Sequence, residues 1–167
     1  MASPTLPPLR ARCWIAVVQA YQACQRQYAR LLAAHDLTIA QFDLLSAVHD
    51  GEGAATPAQV AERLMVTRGN VSPLLQRVIE RGWVQQRPHP EDRRSVLLSL
   101  TSAGAALHRR ARASAACFIA EQLSPFGDAE VAATTTQMQA MRAHLEAMDV
   151  DAVLRRARTP APRDHRA

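Results

Sequence analysis

Between Thr67 and Gly82, Arg68, Asn70, Ser72, Pro73, Gln76 and Arg77 fall on one side of a helical period, opposite an apolar set of Val71, Leu74, Leu75, Val78 and Ile79. These types suit base-pair edges in a DNA major groove. Arginine serves guanine or phosphate, Asn70 adenine, Ser72 and Gln76 further hydrogen bonds, and Pro73 a thymine methyl. Pro73 costs its helix one internal hydrogen bond, and Gly69 four residues back leaves room for the ring. A second group, Asp92, Arg93 and Arg94, lies in a charged loop over 88–94. Arginines there can enter a minor groove, and Asp92 is placed to brace a neighbouring guanidinium. Taken singly, each group has a plain reading. Exposed helix faces are polar anyway, and a surface ion pair is worth under ~1 kcal/mol.

The elements around them turn two plain readings into one specific one. Thr38 and Gln41, then Thr56 and Gln59, make capping boxes, with Leu37 and Phe42 as a hydrophobic staple and Pro57 at a first helical position. Helices are predicted from Thr38 to about His49, from Thr56 to about Leu64, and from Thr67 to Gly82, with Val66 stapling onto Val71. Only Met65 and Val66 separate the last two, a turn short enough for a helix-turn-helix. Gly82 stands where a left-handed C-terminal residue is wanted, and Trp83 can pack back on Val78. Strands follow at Val84–Arg87 and Ser95–Leu100, with the charged loop projecting between them as a wing.

Helices outside this module carry more apolar stripe than it can cover. Ala11–Ala34 bears Trp14, Val17, Val18, Tyr21, Cys24, Tyr28, Leu31 and Leu32. A fifth helix runs from the Thr101 cap to Leu123. A sixth starts at Ser124-Pro125, has Asp128 and Glu130 in its first turn, and repeats Val131, Thr134, Met138, Met141, Leu145 and Met148. The expected fold is mainly α with a small β-hairpin wing: a winged helix-turn-helix over 38–100, with long dimerisation helices over 11–37 and 101–150 making a homodimer. Residues 1–10 read as a disordered N-terminus and 151–167 as a basic, flexible tail able to touch phosphates.

The 167 residues carry a formal charge of +5, all 20 basic residues being Arg. That charge is not a nucleic-acid signature of the module, because 38–100 holds seven Arg against seven Asp and Glu. Placement must carry any DNA contact. No apolar run approaches the roughly 18 residues of a membrane span, and the start lacks a signal-peptide pattern, so a cytoplasmic chain without a membrane partner is expected. Cys13, Cys24 and Cys117 form no CxxC pair, and the histidines are too scattered for a metal site. There is no Gly-rich phosphate loop, no recognisable carboxylate pair and no nucleophile beside a base. Neither an enzyme nor a cofactor is expected.

Leu37-Thr38-x-x-Gln41-Phe42, Val60-Ala61-x-x-Leu64, Val66-Thr67, Gly82-Trp83-Val84 and above all Asp92-Arg93-Arg94-Ser95-Val96-x-x-x-Leu100-Thr101-x-x-Gly104 resemble the MarR family of bacterial transcriptional regulators, over about residues 10–148. The resemblance implies a homodimer with interlocked terminal helices. It would bind double-stranded DNA at a pseudo-palindromic operator, usually as a repressor, with Arg94 in the minor groove and Asp92 orienting it. It also implies a small aromatic or carboxylate effector between the dimer helices and the winged module, for which Trp14, Tyr21, Arg26 and Tyr28 are the candidates. Arg68–Leu75 is similar to the recognition helix of the OhrR branch, which senses organic peroxides through a cysteine in the first helix. Cys13 lies beside the expected position, which Trp14 occupies; Tyr28 fits one flanking tyrosine, and Val18 stands where another would be. Cys13 and Cys24 are therefore the redox candidates. A third reading, a winged helix that binds protein and not DNA, stays open and would show little salt dependence.

Overall fold

Both capping boxes form in the computed structural model, which describes residues 8–92 and 94–158, the side chain of Arg68 excepted. Thr38 Oγ1 accepts from the Gln41 amide at 3.2 Å while Gln41 Oε1 accepts from the Thr38 amide at 2.9 Å. Thr56 and Gln59 repeat the pair at 3.3 and 2.8 Å. They open α2 (Ile39–Asp50) and α3 (Pro57–Arg63). Ahead of them runs α1 (Pro8–Ala33). Behind come α4 (Arg68–Glu80), β1 (Val84–Pro88), β2 (Val96–Leu100), α5 (Ser102–Leu123), α6 (Asp128–Glu146) and α7 (Val150–Arg158). The architecture is mainly α with one antiparallel hairpin, in register from Val84 opposite Leu100 to Pro88 opposite Val96.

Several boundaries differ from the sequence reading, each for a local reason. Pro8, Leu9 and Arg10, expected in a disordered start, belong to the first turn of α1, where proline's fixed φ and missing N–H are harmless; residues 1–7 lie outside the described residues. Thr67 has an extended cap backbone, but its side chain makes no capping bond, and Val66 stays exposed. Helix α6 begins at Asp128 and not at Ser124, because Gly127 is the cap and its amide donates to Glu130 Oε2 at 2.9 Å. Residues 151–158, expected as flexible tail, belong to α7. Asp149 Oδ1 caps it through the Ala152 amide at 2.9 Å, and Arg155, Arg156 and Arg158 occupy the last turn, where the helix dipole favours cations. Residues 159–167 lie outside the described residues.

By packing, the chain divides into two units, one spanning 22–122 and the other made of the N-terminal part of α1 with α6 and α7. The first has a continuous core. Leu44, Leu45, Val48, Val60, Val71, Val78 and Leu98 are its fully buried side chains from α2, α3, α4 and β2; Leu32 joins them from α1, and Leu107, Ala111 and Ala115 from α5. Each fully buried Leu or Val stabilises by about 1.5–3 kcal/mol. Strand β2 is covered on both sides, Leu97 and Leu98 both being buried. In the second unit, α6 has no buried residue at all.

Candidate nucleic-acid interface

Helix α3 hands over to α4 through a four-residue turn. The Leu64, Met65 and Val66 amides donate to Val60, Glu62 and Ala61 carbonyls at 3.0 Å each, and Met65 adopts a left-handed backbone at φ 53°. That conformation costs a residue with a side chain roughly 1 kcal/mol, and Met65 gains no burial for it, being 77% exposed. What it achieves is direction: the chain reverses within the turn and α4 leaves at once. Val71, Leu75 and Val78 then pin the inner face of α4 in the core.

The described side chains of the outer face are turned to solvent. Asn70, Ser72, Pro73, Gln76 and Arg77 are all exposed, and the helix runs unbroken through Pro73. A Cβ on Gly69 would meet nothing closer than Thr67 Oγ1 at 3.9 Å, so the backbone under the proline ring has space. Gln76 Nε2 donates to Glu80 Oε1 at 3.0 Å, which orients the amide along the helix. The far end of α4 is closed as expected: Gly82 is left-handed at φ 69°, and the Gly82 and Trp83 amides donate to Ile79 and Val78 carbonyls. Arg81 lies over the Trp83 ring at 4.9 Å.

The hairpin carries the loop past β1. Arg94 is exposed; Arg93 lies outside the described residues. Asp92 acts on backbone, its Oδ1 accepting the Arg94 amide at 2.9 Å. An aspartate accepting the amide two residues on fixes the backbone from which the exposed Arg94 side chain starts. Behind the loop, the Ala55 carbonyl accepts from the Leu98 amide at 2.7 Å, tying the hairpin to the segment before α3.

Tyr28 lines a hollow of about 310 Å³ with Phe42, Ser46, Asp50, His108 and Arg112. Trp14, Tyr21 and Arg26 are exposed on α1. Phe42 stacks on His108 at 5.7 Å and meets the Tyr28 ring edge-on at 6.2 Å. Ser46 donates to the Phe42 carbonyl at 2.9 Å, so its oxygen is left to accept from His108 Nε2 at 3.0 Å, which puts the imidazole proton there. Burial, then the neighbouring His49, then Arg112 hold His108 below the usual histidine range, against a smaller upward pull from Asp50. His108 and Arg112 escaped the sequence reading because they sit among Leu107, Ala111 and Ala115 on a helix read as dimer interface. A histidine on an apolar stripe was the available signal.

Cys13 is exposed, and Cys24 is half-buried with its Sγ 3.5 Å from Gln122 Oε1. Burial, then Asp43, then Cys24 push the Tyr28 hydroxyl above its ordinary range. Among the described residues no three metal-ligating side chains converge, and no helix is long and apolar enough to cross a membrane.

A MarR family model matches residues 35–95. Over 76 residues the chain is 37% identical to the multiple antibiotic resistance protein MarR of Escherichia coli strain K12, a stretch covering 46% of this chain and 52% of that one. Over 86 residues it is 34% identical to the organic hydroperoxide resistance transcriptional regulator of Bacillus subtilis strain 168, covering 52% and 58%. The chain thus spans about half the length of the curated relatives it matches. Among solved structures, a mutant MarR from E. coli complexed with operator DNA is similar with a TM-score of 0.69 and 27% identity, over 75% of this chain and 90% of that one.

Proposed function

We propose that this chain, which carries a MarR family domain, is a sequence-specific DNA-binding transcriptional regulator of the MarR type, a cytoplasmic repressor and not an enzyme. A homodimer built from α1, α5 and α6 presents two copies of the 38–100 module to the half-sites of a pseudo-palindromic operator. The reading is carried by one combination: a helix-turn-helix and hairpin on a common core, in a chain similar over most of its length to a regulator solved on its operator. Arg68, Asn70, Ser72, Pro73, Gln76 and Arg77 read the major groove, and Arg93 and Arg94 reach the minor groove from the wing, with Asp92 setting Arg94. Selection of bound sequences from random duplex DNA tests this. An inverted repeat is expected, and Arg94→Ala and Arg77→Ala should each weaken binding to it by about tenfold or more with dimerisation intact. Unchanged gel shifts in both variants would sink the assignment.

A small aromatic or carboxylate effector fits the hollow beside Tyr28. Arg112 offers a fork for a carboxylate, and Phe42 and Tyr28 offer ring contacts. Release of DNA by a panel of aromatic acids, lost in Arg112→Gln, is the expected result. The redox alternative is favoured by the similarity to the Bacillus subtilis regulator and by the exposure of Cys13. Peroxide-driven release that persists in Cys13→Ser, Cys24→Ser and the double variant would remove it.

A further inference from the structure

The wing contains a side chain that the DNA contacts themselves do not use. His89, half-buried just after β1, has Nδ1 3.2 Å from the Glu91 amide nitrogen and 3.1 Å from that of Asp92. Both amides can only donate, so Nδ1 is the acceptor and the ring is neutral with its proton on Nε2. The His89 amide donates to the Ser95 carbonyl at 3.2 Å, and the Ser95 amide to the Asp92 carbonyl at 2.9 Å, closing the loop across its base. The residue whose amide the ring holds, Asp92, is the one whose Oδ1 accepts the Arg94 amide. Imidazole, Asp92 and the Arg94 backbone therefore form one run of hydrogen bonds, and the ring is its first link.

We propose that His89 is the positioning residue of the wing and makes DNA binding sensitive to acid. Its unprotonated Nδ1 gathers the Glu91 and Asp92 amides so that Asp92 can set Arg94. A proton on that nitrogen turns the acceptor into a third donor facing two others, and the loop loses its inner support. Among the described residues, the charged groups near His89 in the chain are Arg87 on β1 and Glu91, Asp92 and Arg94 in the loop; β2 carries none, and the segment bridged to it brings Asp50 and Glu52. Arg87 points elsewhere, its Nη2 donating to the Gly53 carbonyl at 3.4 Å. The proposal rests on the regulator reading above, since the wing matters only if it meets DNA.

The test uses the full chain and its selected operator with two variants. His89→Asn keeps a side-chain acceptor able to cap amides two and three residues on but does not titrate; His89→Leu fills the space and accepts nothing. At about pH 7.5, His89→Leu should bind about tenfold more weakly than wild type and His89→Asn within about twofold of it, the scale expected for one or two lost hydrogen bonds. Between about pH 7.5 and pH 5.5 the wild type should lose about fivefold more affinity than His89→Asn. In nitrogen-15 spectra the Glu91 and Asp92 amides should move together with the ring as it titrates. Wild-type affinity in His89→Leu, failure of His89→Asn to rescue, or the same pH profile in wild type and His89→Asn would each overturn the proposal. If the wild type binds no DNA, the regulator reading falls and the role with it, while the amide titration still reports whether the ring caps the loop.

Discussion

His108 is the residue whose chemistry most exceeds what its neighbours in sequence suggest. It is buried at 3% exposure, donates to Ser46, stacks on Phe42 and meets the His49 ring at a tilt. Its native proton affinity is depressed by burial, by His49 and by Arg112. The unfolded chain takes up a proton near the ordinary histidine value of about 6.5 and the native state does so only at lower pH. Stability contributed by the neutral ring is therefore complete above about pH 6.5 and is lost as pH falls from there through the native value, at no more than ~1.4 kcal/mol per pH unit. Urea midpoints at about pH 7.5 and pH 5.5 should show a smaller acid loss in His108→Gln than in wild type, since glutamine keeps the donor to Ser46 and cannot titrate. Equal acid losses in the two chains would mean that the ring is protonated without cost.

At the scale of elements, the tightest joint is where α4, β1 and α5 meet. Thr101 Oγ1 donates to the Gly82 carbonyl at 2.7 Å and accepts the Gly104 amide at 3.0 Å, while the Thr101 amide donates to the Trp83 carbonyl at 3.0 Å. A Cβ on Gly104 would stand 1.9 Å from the Trp83 carbonyl oxygen, a backbone atom with no room to yield. Gly104→Ala should cost about 3 kcal/mol or more, read as a lowered denaturant midpoint, and a midpoint within error of wild type would refute the contact. This joint gives the Leu-Thr-x-x-Gly pattern its physical meaning: threonine closes the hairpin and starts α5, and the glycine lets the two meet. Such features were legible because they are local. The Thr38 and Thr56 boxes, the Gly82 stop and the outward face of α4 depend on residues within four positions of one another. The hollow under Tyr28 was not legible, because Phe42, Ser46, His108 and Arg112 come together only once α1, α2 and α5 pack. Helix α7 was missed for the opposite reason: arginine-rich composition masked a local signal, an Asp149 cap followed by Val150, Val153 and Leu154 at helical spacing.

The whole molecule poses one question that a single chain leaves unanswered, namely what covers α6. Its 19 residues include none that is buried, and Met138, Met141 and Leu145 are exposed beside a hollow of about 460 Å³ lined by Leu123, Phe126 and Val131. An apolar stripe of that length in water is costly, and a second copy bringing the same stripe covers both at once, as an isologous interface does. A dimer would also suit the proposed operator contact, because half-sites one helical turn apart, about 34–36 Å, need two modules held at a set spacing. Met138→Asp places a carboxylate in the middle of that stripe, far in sequence from the 38–100 module. The dimer should weaken by about a hundredfold, seen by sedimentation at micromolar concentration, because an unpaired charge buried in an interface costs several kcal/mol. Operator affinity should fall with it while thermal unfolding of the 22–122 core changes little, since none of that core's buried residues lies on α6. A variant that sediments as wild type and still binds its operator would place the dimer contact on another face of the chain and leave the stripe on α6 without an occupant.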